Sequence, residues 1–148
     1  MSASREGLRS IGVRVELSSG NQEPLFHEIR HALAALLNEG RDTCIDLRGI
    51  PLAPGEEERI LQRLGRGELR AELTAFGTSE IFETAFAGVW VVSHFDTKGE
   101  LLGRFVEVTR VPEIVASQVA DIAAGLTRLS TLLDTGENTN TTRPTDGA

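Results

Sequence analysis

The fold of this chain is decided by residues 78–94, Thr-Ser-Glu-Ile-Phe-Glu-Thr-Ala-Phe-Ala-Gly-Val-Trp-Val-Val-Ser-His. Two runs within this stretch, residues 80–86 and 89–95, are rich in β-branched and aromatic side chains, which suit a pleated and half-buried surface. Gly88 stands between them and relieves the bend. The stretch therefore predicts two successive β-strands.

The first of these runs mixes charge with apolar groups on both sides. In a strand, Glu80 and Phe82 project to one side, whereas Ile81 and Glu83 project to the other. A strand that only closed a core would separate the two kinds of residue. We therefore expect these strands to present a contact surface as well as to fill a core.

Further strands are predicted on both sides of this stretch. Residues 69–75 alternate apolar and polar side chains, and residues 101–109 follow a similar pattern. Residues 96–99, Asp-Thr-Lys-Gly, have the composition of a hairpin turn. Because short connections pair neighbouring strands antiparallel, the pattern predicts an antiparallel meander of three or four strands.

The N-terminal third predicts a strand, a helix and a second strand, over residues 11–17, 24–38 and 44–47. A β-α-β unit of this length is a right-handed crossover with its two strands parallel. Together with the meander it predicts an α+β fold in which the sheet packs against helices.

Two more helices are expected. Three glutamates open a short helix over residues 55–64, where they favour the positive end of the helix dipole. A long helix begins at Pro112-Glu113, and its apolar residues recur at heptad-like spacing. This helix packs on the sheet or forms a docking or dimer face. We expect residues 1–133 to form a single domain and residues 134–148, which lack apolar periodicity, to be a disordered tail.

The charge balance limits the partners that this chain can bind. Fifteen Lys and Arg residues stand against 22 Asp and Glu residues among 148, which gives a net charge of −7. A nucleic-acid backbone and an anionic membrane are both disfavoured, because their binding surfaces are basic. The chain shows neither an apolar run long enough to span a bilayer nor an N-terminal secretory signal, so we expect a cytoplasmic protein.

The only cysteine, Cys44, excludes an internal disulfide and a cage of thiolates around a metal. It lies in a strand-like run, where a small buried thiol is the usual finding. We expect Cys44 to be buried and structural.

Residues 27–31, His-Glu-Ile-Arg-His, match the zinc-protease pattern in which two imidazoles bind the metal and Glu28 is the general base. The apolar residues of the predicted helix lie on its other side, so His27 and His31 should face solvent. No third ligand is evident, and we assign no catalytic, metal or cofactor residue. A small zinc-dependent hydrolase using these residues is the alternative hypothesis.

A pair of carboxylates on the sheet is a further possible site. Strand register decides whether Glu80, Glu83 and Glu107 lie on one face and can form such a pair.

Four separated blocks of the chain carry a family resemblance; they are residues 45–49, 64–68, 78–94 and 108–114. In this order they resemble the C-terminal conserved region of the HupH/HyaF family of hydrogenase expression proteins, from about Glu23 to about Leu129. Many members of that family are longer, so the resemblance implies a single-module version. A second copy of the module is not evident, which leaves a homodimer open.

The resemblance implies a non-enzymatic, chaperone-like factor for nickel–iron hydrogenase maturation that needs no cofactor. Its expected partners are a hydrogenase subunit precursor, foremost the iron–sulfur small subunit, and other maturation factors. The residues that match family motif positions, and that we expect to contact the partner, are Glu80, Glu83, Thr84, Trp90, His94, Pro112 and Glu113. Trp90, the only tryptophan, fits either the core or a contact surface.

Overall fold

The computed structural model describes residues 16–137 of the chain. This part contains three α-helices and five strands. They are α1 (Gln22–Glu39), β1 (Thr43–Asp46), α2 (Glu56–Leu64), β2 (Arg70–Thr74), β3 (Thr78–Glu83), β4 (Val89–Phe95), β5 (Leu101–Val108) and α3 (Val119–Glu137). The α+β prediction is confirmed. Residues 11–15 of the predicted first strand lie outside the described residues, and Glu16 and Leu17 are not in a strand.

The first helix forms where the sequence predicts it, with slightly wider bounds. Its inward side buries Leu25, Ile29 and Ala32, which recur at helical spacing. Gly40 ends it in the left-handed conformation at φ 66° and donates its N–H to the last carbonyls of the helix, a conformation that glycine adopts without steric cost.

The five strands form one antiparallel sheet in the order β1-β5-β4-β3-β2. The predicted meander is confirmed as the four strands β2 to β5. β1 joins it beside β5, with Thr43 opposite Val108. The parallel partner predicted for β1 is the strand that lies mostly outside the described residues.

One face of the sheet is covered by α1 and α2, and we call it the helix-covered face. Its strand residues in the core are Ile45, Phe82, Val89, Val91, Val106 and Val108, which cluster with Ile60 and Leu64 of α2 and with the inward side of α1. Trp90 and Val92 project from the opposite face, and they are also buried. The central strand β4 is therefore buried on both of its faces.

The chain divides into two compact units, one up to Arg110 and the other from Val111. The second unit contains a 3-10 turn at Glu113–Val115 and then α3. The prediction of a continuous helix from Pro112 is therefore wrong at its start. α3 continues to Glu137, so residues 134–137 of the predicted tail are helical, and residues 138–148 lie outside the described residues. A single domain over residues 1–133 stays a prediction.

Candidate partner-binding groove

A cleft of about 820 Å³ opens in the first unit, between the C-terminal half of α1 and the loop that joins β3 to β4. We call it the leucine groove; its lining residues are Leu33, Ala34, Leu36, Leu37, Gly40, Glu83, Ala87, Gly88 and Arg110. Most of this lining is apolar. A cleft of this size and composition is in the range of protein pockets that bind ligands or partner side chains.

The helical wall of the groove continues the apolar side of α1 towards the helix end. Leu33 and Leu36 are partly buried against the core, whereas Leu37 is 86% exposed. Gly88 lies on the opposite wall, close to the helical wall. A Cβ there would meet the δ-carbons of Leu36 and Leu33 at 3.4 and 3.5 Å. Gly88 also has a φ of 84°, which other residues rarely adopt.

The loop wall is held in shape by Thr84. Its hydroxyl donates to the Phe86 carbonyl at 3.2 Å and accepts from the Phe86 N–H at 3.1 Å. The backbone N–H of Thr84 also donates to Val89 at 2.9 Å. Thr84 is only 1% exposed, so its observed role is to position the loop. Its predicted role as a contact residue stays a prediction.

Trp90 is likewise part of the framework. Its side chain is 7% exposed, and its indole N–H donates to the Thr109 carbonyl at 3.1 Å. A buried tryptophan whose N–H is satisfied inside the chain contributes packing and hydrogen bonding. Of the two roles left open by the sequence, the core role is the one observed, and the contact role stays a prediction.

Two opposite charges lie among the apolar lining of the groove. Glu83 comes from the end of β3, and Arg110 from the end of the first unit. The Glu83 backbone is fixed by hydrogen bonds on both sides, from its N–H to Leu69 and from the Gly67 N–H to its carbonyl. Within residues 16–137 neither charged side chain forms a salt bridge. Both are therefore available to a partner.

Register separates the three glutamates that could have formed a carboxylate pair. Glu83 lies opposite Trp90, which in turn lies opposite Glu107, so Glu83 and Glu107 share the face away from the helices. Glu80 lies on the helix-covered face, and its carboxylate is 3.8 Å from Arg70. With a whole strand between Glu83 and Glu107, the arrangement differs from the adjacent carboxylates of an acid–base pair.

The remaining predicted contact residues lie elsewhere. His94 is partly buried near the end of β4, with its Nδ1 2.7 Å from the Ser79 hydroxyl and its ring against Phe105 in an edge-to-face contact. Pro112 and Glu113 belong to the second unit, where Pro112 is buried and Glu113 is exposed. The leucine groove therefore contains only Glu83 of the seven predicted residues.

The HupH hydrogenase expression protein family, in its C-terminal conserved region, matches residues 20–135 of this chain. The chain belongs to this family. This confirms the resemblance seen in the four sequence blocks. Curated relatives include the hydrogenase expression/formation protein HoxQ of Azotobacter vinelandii, which is 29% identical over 121 residues, or 77% of this chain and 42% of the relative. The corresponding HupH of Rhizobium leguminosarum bv. viciae is 30% identical over 104 residues, or 69% of this chain and 36% of the relative.

A solved structure agrees with this membership of the HupH family. The hydrogenase expression protein HupH of Thiobacillus denitrificans ATCC 25259 superposes with a TM-score of 0.72 at 41% sequence identity, covering 82% of this chain and 99% of that one. The chain spans less than half of the length of the curated relatives that it matches.

The histidine pattern of this HupH-family chain is exposed. His27 and His31 both lie on the outer side of α1, as the sequence predicts, opposite buried Leu25 and Ile29. Within residues 16–137, no group of three or more His, Cys, Asp or Glu side chains is arranged to hold a metal ion. In the same part of the chain, no helix combines the length and apolar character needed to cross a membrane.

Cys44 differs from its prediction, because its side chain is exposed. It lies on the face away from the helices, directly opposite Glu107. Partial desolvation raises the pKa of the thiol, and the carboxylates of Glu107 and Asp46 raise it further. Since the thiolate is the nucleophilic form, these surroundings disfavour a reactive cysteine despite its exposure.

Sequence reasoning missed most of the groove. Leu37 carried no motif, and Arg110 was not singled out within the block 108–114. Their relevance appears only when α1, the β3–β4 loop and the segment after β5 come together. One weak signal was present, because Leu37 lies beside the apolar stripe of α1 near its end. Single exposed apolar residues are common on protein surfaces, so this signal alone did not identify the groove.

Proposed function

We propose that this chain is a cytoplasmic, non-enzymatic accessory factor in nickel–iron hydrogenase maturation. It binds the precursor of a hydrogenase subunit, the iron–sulfur small subunit, and acts alongside other maturation factors. The observation that carries this proposal is membership in the HupH hydrogenase expression protein family over residues 20–135. The names of the relatives, hydrogenase expression/formation proteins, support it further.

The leucine groove is the surface that we assign to the precursor. A subunit that has not completed its folding or received its cofactors exposes apolar segments that are buried later. Leu33, Leu36 and Leu37 offer a matching apolar wall, and Leu37 is almost fully exposed at 86%. Burial of such a leucine against a partner removes apolar surface from water on both sides.

Glu83 and Arg110 give the groove a preference for particular segments. A segment with a basic group near Glu83 and an acidic group near Arg110 satisfies both charges, whereas the reverse arrangement places like charges together. Such complementary charges select the partner and its orientation more than they add affinity. The other predicted contact residues stay predictions; they are Glu80, Thr84, Trp90, His94, Pro112 and Glu113.

Co-purification tests the proposal. Tagged protein, produced in cells that also make the hydrogenase subunits, should retain the small-subunit precursor after gentle crosslinking. Leu37→Asp should lower the recovered precursor about tenfold, equivalent to about 1.4 kcal/mol, because it places a charge on the apolar wall. Glu83→Ala should lower recovery as well, because it removes one of the two charges.

Two matched variants locate the surface. Leu102 is a leucine of β5 that is 64% exposed and is not part of the groove, so Leu102→Asp should leave recovery unchanged. Glu80→Ala removes a carboxylate from the other face of β3. If Leu37→Asp and Leu102→Asp reduce recovery equally, or if only Glu80→Ala reduces it, the groove is not the binding surface. If the normal chain retains no hydrogenase subunit at all, the proposed function is wrong.

A further inference from the structure

The outer edge of β2 has no neighbouring strand within residues 16–137, because β2 stands at the end of the sheet order. Its other side pairs with β3. The Glu83 N–H donates to the Leu69 carbonyl, and the Ala75 N–H donates to the Gly77 carbonyl, so the odd-numbered residues direct their backbone groups towards β3. By the alternation of an antiparallel ladder, Arg70, Glu72 and Thr74 direct theirs outward.

This edge lacks three of the features that commonly prevent strand addition, namely proline, lysine and a bulge. β2 contains neither proline nor lysine, and its pairing with β3 is regular from Arg70 to Thr74. Natural edge strands are commonly protected by such residues or by bulges. Two leucines beside the edge are also exposed, Leu69 by 57% and Leu73 by 45%. The edge is therefore ready to pair with another strand.

The residues of the edge are arranged symmetrically about Ala71. The sequence of residues 69–73 is Leu-Arg-Ala-Glu-Leu, with an apolar residue at each end and opposite charges inside. When such a strand meets a second copy of itself antiparallel and centred on Ala71, Arg70 lies opposite the second copy's Glu72, and Leu69 lies opposite its Leu73. The symmetry of this contact is that of a two-fold dimer, in which one patch meets itself.

The outward backbone groups fit the same register. Arg70 and Glu72 both direct their N–H and carbonyl groups outward, so they form hydrogen-bonded pairs when they meet across the two-fold axis. Side chains in such a pair lie about 5.5 Å apart at Cβ and interact directly. Registers centred on Glu72 or on Arg70 would place two like charges opposite each other at the axis. Only the register centred on Ala71 pairs opposite charges there.

The isolated chain also has a charge conflict at this edge. Glu72 lies directly opposite Glu80 in the β2–β3 ladder, and like charges in that position are destabilising. Arg70 partly compensates through its contact with Glu80 at 3.8 Å. A second copy would bring a further guanidinium to Glu72, which has no salt bridge within the described residues.

We propose that two copies of this chain associate through β2, centred on Ala71, to form a dimer with one continuous sheet. The two five-stranded sheets then join into a sheet of ten strands. The leucine groove lies between the C-terminal half of α1 and the β3–β4 loop, and no residue of β2 lines it. The dimer therefore presents two grooves, and its existence does not depend on the proposed function.

Sedimentation velocity across a concentration series tests the dimer with the full chain. The unmodified protein should show a reversible monomer–dimer equilibrium. Glu72→Arg places two arginines opposite each other on each side of the axis, and it should raise the dissociation constant at least tenfold. Arg70→Glu should do the same by opposing two glutamates. Glu28→Arg, a reversal at an exposed position of α1, should leave the equilibrium unchanged.

Mixing the two variants provides the decisive measurement. A strand with two arginines and a strand with two glutamates are complementary in the Ala71 register, so an equimolar mixture should form a heterodimer although each variant alone is monomeric. Glu72→Arg removes the repulsion from Glu80, so loss of the dimer in that variant does not result from unfolding, and circular dichroism checks this. The proposal is overturned by a normal chain that is monomeric at every concentration, by variants that still dimerise, or by a mixture that stays monomeric.

Discussion

At the scale of single residues, Glu56 shows how a carboxylate can organise a connection. It is 1% exposed, and its Oε2 atom accepts hydrogen bonds from the Ser19 hydroxyl at 2.7 Å, the Ser19 N–H at 3.2 Å and the Ala53 N–H at 2.9 Å. The segment before α1 and the loop before α2 are thereby joined at one atom. Hydrogen bonds from Ser19 and Ala53 lower the pKa of Glu56, and the charge of Arg59 lowers it further.

This lowered pKa predicts a loss of stability in acid. A carboxylate with a lower pKa in the folded state stabilises the fold above its unfolded pKa, about 4.3, and that stabilisation is lost as the pH falls through the folded pKa. Glu56→Gln should therefore flatten the acid side of a plot of unfolding free energy against pH, measured by urea titration. Glu58→Gln, an exposed neighbour in the same turn, should keep the slope of the unmodified chain. Identical slopes for all three proteins would contradict this role of Glu56.

The sequence predicted that Glu56 lies at the start of a helix, but it did not predict which residues Glu56 contacts. Three successive glutamates predicted a helix start, and α2 begins at Glu56. Their separate environments were not readable, because they depend on distant partners. Glu56 binds Ser19, 37 positions away, whereas Glu57 binds Arg104 of β5 at 2.9 Å. Such contacts require the tertiary fold, which a local pattern does not contain.

At the scale of elements, two turns carry glycines in different surroundings. Gly99 ends the β4–β5 turn at φ 84°, and a Cβ there would meet nothing within 4 Å. Gly77 ends the β2–β3 turn at φ 134°, where a Cβ would collide with the Phe95 carbonyl oxygen. The first position needs glycine for its backbone conformation alone. The second needs it for conformation and for space.

The two substitutions to alanine should therefore differ in cost. Gly99→Ala should destabilise the chain by about 1 kcal/mol, the usual cost of a left-handed residue other than glycine. Gly77→Ala should cost more than about 2 kcal/mol, because strain and collision add. Urea unfolding followed by far-ultraviolet circular dichroism measures both. Equal losses of unfolding free energy would show that the β2–β3 turn accommodates the added methyl group by a small backbone shift.

Elements with strong periodicity were predicted well, and pairing was predicted only in part. The four meander strands and the first two helices are present because apolar spacing and turn residues are local signals. The partner of β1 was not predicted, since β5 follows it by more than fifty residues. The interruption between the 3-10 turn and α3 was also missed, because proline followed by an acid indicates a helix start without specifying its first turn.

At the scale of the whole molecule, the family and the fold class were readable and the groove was not. Its lining comes from three separated segments, and Glu83 is the lining residue that was predicted as a contact. Leu37 and Arg110 acquire a role from their neighbours in space. The mixed faces of β3 did indicate a contact surface, and the register places Glu80 and Glu83 on opposite faces as the alternation predicts.

The sheet should show a gradient of protection in hydrogen–deuterium exchange. Amides of β4, which pairs on both sides and is buried on both faces, should exchange only through global unfolding and therefore slowest. In β2, the amide of Ala71 bonds to β3 and should exchange more slowly than those of Arg70 and Glu72 in dilute monomer. Nuclear magnetic resonance resolves these amides individually. Equal exchange at all three positions of β2 would contradict the assigned ladder.

The indole of Trp90 gives the molecule its own optical probe. The chain contains one tryptophan and no tyrosine, so ultraviolet-excited emission comes almost entirely from this one ring. The ring is buried on the face of β4 away from the helices, and its N–H is bonded to the Thr109 carbonyl. Its emission should be blue in the native protein and should shift to the red when unfolding exposes β4 to water, so the integrity of the sheet can be followed in unlabelled protein.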